Sequence, residues 1–248
     1  MGQHIVITGA AGTVAHTVVD ALKGRHRLTL VDQRGRPDQE MVRVNLSDFA
    51  AVLDRMPEAD TVIHLGANPD EAEWQDILTN NFIATYNIFE VARRKGVKRI
   101  VFPSTVMIYD GFAGRAEGEI LTPERHAWPM TYYAVSKRFG EDLGKMYARK
   151  HGMSVVCIRL GWFPHLPINV EGVRRERTMV LGVRDCGQLF TRAVEAPDVE
   201  FAVVNGFSRE GAARFDLEPG RRLIGYEPQD EFETVLASHL AREAAEAG

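Results

Sequence analysis

Cysteine is nearly absent from this 248-residue sequence, and the two present, Cys157 and Cys186, lie far apart. That excludes the dense framework of a small disulfide-stapled fold and the close pairs of a zinc or redox motif. The two read as buried packing thiols in a reducing compartment. Long apolar runs are missing too, so no segment is expected to span a bilayer. Charge of one sign is also lacking. A net charge of −4 gives no field that would draw in nucleic acid or an anionic membrane, and the expected partner is a small molecule. No cluster of His, Cys, Asp and Glu has metal-ligand spacing, so no metal is expected. Repeats, low-complexity tracts and Gly/Ser linkers are absent, which leaves a single domain over 1–248 as the expectation. Met1 to His4 runs straight into Ile5, Val6 and Ile7, with no room for the regions of a signal peptide. Val6 stands where a myristoylation signal wants Ser or Thr. A cytoplasmic location is expected.

What is there is an ordinary globular composition, 45% hydrophobic and 26% charged, sufficient for a full core. Short β-branched runs alternate with longer amphipathic stretches. Strands are predicted at Ile5–Thr8, Arg27–Val31, Met41–Val44, Thr61–Leu65, Arg99–Pro103 and Ser154–Arg159. Helices are predicted at Thr13–Lys23, Phe49–Arg55, Trp74–Lys95 and Tyr132–His151. This alternation specifies an α/β fold, a Rossmann-type doubly wound parallel sheet whose ligands bind at the carboxyl ends of its strands. Past Arg159 the composition changes. An irregular basic stretch with Pro164 and Pro167 precedes a helix at Asp185–Glu195, a strand at Phe201–Asn205 and a helix at Asp230–Ala245. A small C-terminal substrate-binding extension is expected, its covering elements mainly within 160–182 and 205–228.

Chemistry enters at Gly9-Ala-Ala-Gly12-Thr-Val-Ala15, directly after the first strand and opening the first helix. Gly9 permits the tight turn, Gly12 lets backbone approach a pyrophosphate, and Ala15 allows close helix packing. Asp32 closes the second strand, placed to accept hydrogen bonds from an adenosine ribose. A carboxylate there disfavours a 2′-phosphate and so favours NAD over NADP, although Arg34 and Arg36 stand close enough to receive one. Tyr133-Ala-Val-Ser-Lys137 puts two side chains four apart on one helix face, able to act on the same cofactor ribose. Free tyrosine titrates near pH 10, and the Lys137 cation would favour its phenolate. Ser104 and Thr105 each offer a hydroxyl just past the fifth predicted strand.

These motifs resemble the extended short-chain dehydrogenases/reductases, the NAD-dependent epimerase/dehydratase superfamily. His64-Leu-Gly-Ala67 resembles the family's fourth-strand motif that packs on the cofactor, and Asn81-Phe-Ile-Ala-Thr85 its Asn-x-x-Gly-Thr helix motif with Ala84 replacing the glycine. Asn45-Leu46 sits where the family has an acidic residue beside the adenine. The resemblance implies an NAD site formed by Gly9, Ala11, Gly12, Thr13, Val14, Asp32, Asn45, Leu46, Leu65, Gly66, Ala67, Asn81, Pro103, Tyr133 and Lys137. It implies catalysis by Thr105, Tyr133 and Lys137, with Tyr133 exchanging the substrate proton, and a homodimer paired through the helices at Trp74–Lys95 and Tyr132–His151.

Val101-Phe-Pro-Ser-Thr, Arg159-Leu-Gly161, Arg184-Asp-Cys-Gly187 and Leu223-Ile-Gly-Tyr-Glu-Pro228 are similar to bacterial uronate dehydrogenases and related archaeal sugar dehydrogenases. Those enzymes oxidise an anomeric carbon to a lactone with NAD. Where that subgroup has Asn-His after the catalytic hydroxyl, this chain has Val106 and Met107, and Pro69 replaces a substrate-side Ser. Arg174 or Arg177 would clamp a substrate carboxylate, and Ser104, Gly161 and Trp162 would line the pocket. His165 reads as a polar loop residue. Two other readings stay open: an epimerase or dehydratase with tightly bound NAD, and an NAD-sensing regulatory protein.

Overall fold

A computed structural model describes residues 2–36, 39–112, 118–163 and 169–247. His165, Pro164 and Pro167 lie outside the described residues. The first strand, β1 (His4–Thr8), is apolar on both faces, as a strand buried between two helical layers must be. It pairs with β2 (Arg27–Asp32) on one side and β4 (Thr61–His64) on the other. The remaining strands are β3 (Val42–Arg43), β5 (Arg99–Thr105), β6 (Ser154–Leu160) and β7 (Phe201–Gly206). All are parallel, in the order β3-β2-β1-β4-β5-β6-β7. The chain reverses direction across the sheet between β1 and β4, which opens a crevice at their carboxyl ends.

Helices α1 (Thr13–Leu22) and α7 (Val183–Glu195) cover one face, burying Val18, Leu22, Leu189 and Phe190 against Ile5, Ile7, Ile63 and Val156. The other face is covered by α2 (Phe49–Arg55), α4 (Ala84–Arg94) and α5 (Tyr132–His151), which bury Val52, Ile88, Phe89 and Tyr147 against Val6, Val62, Phe102 and Val155. Cys157 and Cys186 are buried free thiols, one in each layer.

The predicted helix Trp74–Lys95 is not one regular helix. A short α3 (Trp74–Ile77) passes through a π-helical turn, Leu78–Ile83, into α4. The widened turn contains Asn81, and π turns concentrate at functional positions. Further along, α5 lies close on the sheet because residue 140 is glycine: a Cβ there would stand 2.1 Å from the Phe102 ring. Beyond β6 come two helices that periodicity did not single out, α6 (Val170–Arg175) and α8 (Glu218–Ile224), and then α9 (Phe232–Ala247). Each of the first two spans fewer than two turns, too short for a 3.6-residue repeat to show. Among the described residues no helix is long and apolar enough to cross a membrane.

Candidate active site

The crevice begins at the Gly9 turn. Gly9 has φ +68°, and a Cβ on it would stand 2.5 Å from the backbone nitrogen of Gly66. The loops after β1 and β4 therefore meet as bare backbone, and only glycine fits. Gly12 donates to the Gly9 carbonyl at 3.0 Å and starts α1 without a side-chain cap or an acidic residue in the first turn. The amides of Thr13 and Val14 thus form the positive end of a helix whose own first turn carries no acidic residue, the arrangement that receives a phosphate.

Asp32 is buried at the end of β2. Its carboxylate accepts from the amides of Ala11 at 3.0 Å and Arg34 at 2.8 Å, which fixes its direction and leaves lone pairs for ribose hydroxyls. The Arg34 guanidinium also stands 3.8 Å from it. Leu46 approaches Gly66, and its carbonyl accepts from Asn87 at 2.9 Å. Asn45 is exposed and turns its side-chain oxygen to the amide and hydroxyl of Ser47. The glycine cradle, the open helix start and Asp32 together fit a dinucleotide. Gly9, Ala11, Gly12, Thr13, Val14 and Asp32 would hold its phosphates and ribose, with Leu46, Leu65, Gly66 and Ala67 beside them.

His64 sits beneath this cradle. It is fully buried, with Nδ1 2.7 Å from the Thr8 hydroxyl and Nε2 3.2 Å from that of Thr85. Burial, with a smaller contribution from the Lys137 charge, lowers its pKa to about 3. It stays neutral and ties β1, β4 and α4 together below the cofactor side.

The residues expected to be catalytic meet at the end of β5 and the start of α5. Lys137 Nζ donates to the Pro103 carbonyl at 3.0 Å and lies 5.7 Å from the centre of the Tyr133 ring. The Tyr133 hydroxyl faces Thr105, whose hydroxyl favours the phenolate. One feature departs from the sequence expectation of an eased phenolate. Burial raises Tyr133 to about 12, opposed by the Thr105 hydroxyl and reinforced by the charge of Asp70, while burial lowers Lys137 to about 8. Desolvation disfavours the charged form of both groups and is the largest cause of each shift.

The strand's two-residue alternation separates Thr105 from Ser104. Thr105 meets Tyr133, whereas Ser104 turns away and donates to Glu141 Oε1 at 2.7 Å. Ser104 is therefore removed from the catalytic and substrate candidates. Its partner belongs to a buried network that motif reading did not find. Arg159 holds Glu141 through two bonds of 2.8 and 2.9 Å and donates to Tyr109, which in turn bonds Asn205 at 3.1 Å. Asn205 then reaches the carbonyls of Leu121 and Asp216, both at 3.1 Å. Glu141 lies four residues after Lys137 on α5, a spacing that could have flagged it.

Asn81 also has a place other than direct cofactor contact. It accepts from the Asn68 amide at 2.8 Å and donates to the Asn68 carbonyl and the Ser136 hydroxyl, both at 3.0 Å. All this occupies the amide in joining the loop after β4 to the catalytic helix.

On the substrate side, Val106 and Met107 join Tyr109, Phe207, Phe215 and Met179 in an apolar cluster. Gly161 is buried, with Phe207 packed where a side chain would be. Trp162 belongs elsewhere: it packs with Val173, Val180 and Phe232 under α9 and pairs backbone with Val180. Arg174 is likewise corrected. It forms a bidentate ion pair with Glu233 at 2.8 and 3.1 Å on the surface, so its planar fork is already matched. Arg177 is exposed, two residues before Met179 of the apolar cluster.

A glycine cradle with Asp32 at the switch point, and a Thr105, Tyr133 and Lys137 group beside it, define a dinucleotide-dependent oxidoreductase of the short-chain dehydrogenase type. The comparisons with known proteins agree. Residues 5–178 match the NAD dependent epimerase/dehydratase family, and the chain belongs to that family. It is 34% identical to the L-arabinose 1-dehydrogenase (NAD(P)(+)) of Haloferax volcanii over 94% of this chain and 98% of that protein. To the uronate dehydrogenase of Pseudomonas putida it is 30% identical, over 98% of this chain and 90% of that one. Among solved structures, a uronate dehydrogenase from Agrobacterium tumefaciens in complex with NAD superposes with a TM-score of 0.82 at 29% identity, over 97% of this chain and 90% of that one.

Proposed function

We propose that the protein is an NAD-dependent dehydrogenase that oxidises a hydroxyl-bearing carbon of a monosaccharide or sugar acid, forming a lactone when that carbon is anomeric. The observation that carries this reading is the convergence of Tyr133, Thr105 and the buried Lys137, whose Nζ lies 5.7 Å from the centre of the Tyr133 ring. The two hydroxyls converge where a substrate oxygen would be held. Thr105 positions that oxygen and Tyr133 takes its proton. NAD, when bound, supplies the hydride acceptor. Lys137 stabilises the Tyr133 phenolate that accepts the proton and so becomes neutral, and the apolar wall of Val106 and Met107 keeps water from the reacting carbon.

With Tyr133 at about 12 and Lys137 at about 8, the proton-accepting form of Tyr133 grows as pH rises. Oxidation therefore accelerates towards pH 8 and gains less beyond it, as Lys137 loses its charge. The test is NADH formation across a panel of neutral sugars and uronates. Tyr133→Phe should lower kcat by about 10²- to 10⁴-fold, the usual weight of a positioned acid or base, with NAD binding retained. NAD that copurifies, without net NADH formation on any sugar, would replace this reading with an epimerase or dehydratase. A Tyr133→Phe protein with full biological activity would replace it with an NAD sensor.

Electrostatics favour a neutral sugar over a uronate. Arg174 is taken by Glu233, and the carboxylates of Asp70 and Glu71 lie by the start of α5. A higher kcat/KM on uronates than on neutral sugars would overturn this preference. The active form is a homodimer paired through exposed Trp74, Tyr86, Tyr132 and Val135. A monomer in sedimentation at micromolar concentration would refute that.

A further inference from the structure

The catalytic tyrosine stands at the second position of α5, where backbone amides have no partner within the helix. Thr131 caps one of them, accepting from the Ala134 amide at 3.1 Å. The amides of Tyr132 and Tyr133 find a partner far away in sequence. Both donate to the carboxylate of Glu71, one to each oxygen, at 3.2 and 3.1 Å. The first turn of α5 carries no acidic residue of its own, so the negative charge favoured at a helix start is brought to it by the loop after β4.

That loop is held from the other side as well. Asn81 grips both backbone groups of Asn68, and the Asp70 amide donates to the Asn68 side chain at 3.2 Å. Asn81 also bonds Ser136, whose hydroxyl donates to the Tyr133 carbonyl at 2.7 Å. Both ends of the Tyr133 residue are thereby tied to loop 68–71, the amide through Glu71 and the carbonyl through Ser136 and Asn81.

We propose that Glu71 is a positioning residue for Tyr133, a carboxylate latch that sets the tyrosine against Thr105 and joins the substrate loop to the catalytic helix. This rests on the reading of Tyr133 as the proton acceptor. Because the latch grips backbone, it fixes the height of the ring without touching the reacting atoms. Catalysis is sensitive to displacements on the order of 1 Å, which can cost about 100-fold in rate.

The experiment compares Glu71→Ala, Glu71→Gln and Tyr133→Phe with the unaltered protein, each saturated with NAD and sugar. Glu71→Ala is expected to lower kcat by about 10- to 100-fold while NAD affinity, read by fluorescence quenching, changes less than about twofold. Glu71→Gln keeps one acceptor oxygen and should recover part of that loss. Removing the carboxylate also makes the nearby phenolate easier to form. The acid limb of the kcat profile should move down by about 0.2 to 0.7 pH unit, the size of a charge effect at a helix terminus. Asp70 and Lys137 also face Tyr133 and are unchanged in the Glu71 variants. A role confined to folding would lower the melting temperature and the active fraction without moving that limb. The proposal fails if Glu71→Gln shows unaltered kcat and an unaltered profile, or if its whole loss follows the fraction unfolded. Should Glu71→Ala not fold, Glu71→Gln decides alone. Failure of the underlying reading looks different: Tyr133→Phe would then retain turnover, whatever the Glu71 variants do.

Discussion

The two sides of the crevice are built differently. On the cofactor side, one contiguous run, Gly9 to Val14, supplies the turn, the close approach and the open helix start, and Asp32 lies only one strand further on. On the side proposed for the substrate, the apolar cluster draws Val106 and Met107 from beyond β5, Met179 from beyond α6, and Phe207 and Phe215 from beyond β7. Its support is the buried chain from Ser104 through Glu141, Arg159, Tyr109 and Asn205. A short motif performs a backbone task that any member of the family must perform. A wall made of distant segments can change one segment at a time, which is where specificity diverges.

The support of the substrate side offers the largest effect. Arg159 and Glu141 have relative exposures of 0% and 2%, so Glu141→Gln leaves a buried guanidinium without its counter-charge. A loss of about 3–5 kcal/mol is expected from removing one partner of a buried ion pair, measured as a lowered denaturation midpoint. A loss under about 1 kcal/mol would mean that Tyr109 and Asn205 hold Arg159 unaided.

The cofactor side should yield less in stability and more in binding. Gly9→Ala forces a side chain into positive φ and against Gly66, a strain of about 1–3 kcal/mol. It should greatly weaken NAD binding while the apolar cluster around Val106 stays intact. Equal loss of fold on both sides would break the distinction between them.

The effect that is smallest at neutral pH is a slope that appears only in acid. His64 titrates near 3 when folded and near its ordinary 6.5 when unfolded. Above pH 6.5 both states are neutral and its stabilising bonds to Thr8 and Thr85 are free of penalty. As pH falls from 6.5 towards 3, only the unfolded chain gains the proton, and stability falls by about 1.4 kcal/mol per pH unit. In His64→Gln this part of the acid slope should vanish from urea titrations. An unchanged slope would assign it to carboxylates instead.

Much of this was legible in the residues. The strand and helix alternation, the glycine turn, Asp32 and the Tyr133/Lys137 pair are local patterns with fixed spacing. Thr105 is preferred to Ser104 from its spacing alone, and the alternation of β5 turns Thr105 towards Tyr133 and Ser104 towards Glu141. Arg174 looked like a substrate clamp for want of any sign of Glu233, which lies 59 residues on. Glu71 had no motif at all, since its partners are backbone amides 61 and 62 residues away.

By itself the sequence determined the doubly wound sheet, the dinucleotide cradle and the pairing of Tyr133 with Lys137 on one helix, because each depends on hydrophobic period or on residues within a turn of one another. Only the tertiary structure decided that Ser104 and Arg174 serve buried and surface ion networks, that Asn81 holds a loop, and that Glu71 caps the catalytic helix. Those roles depend on which distant side chain reaches an unpaired group first, and that is settled by packing.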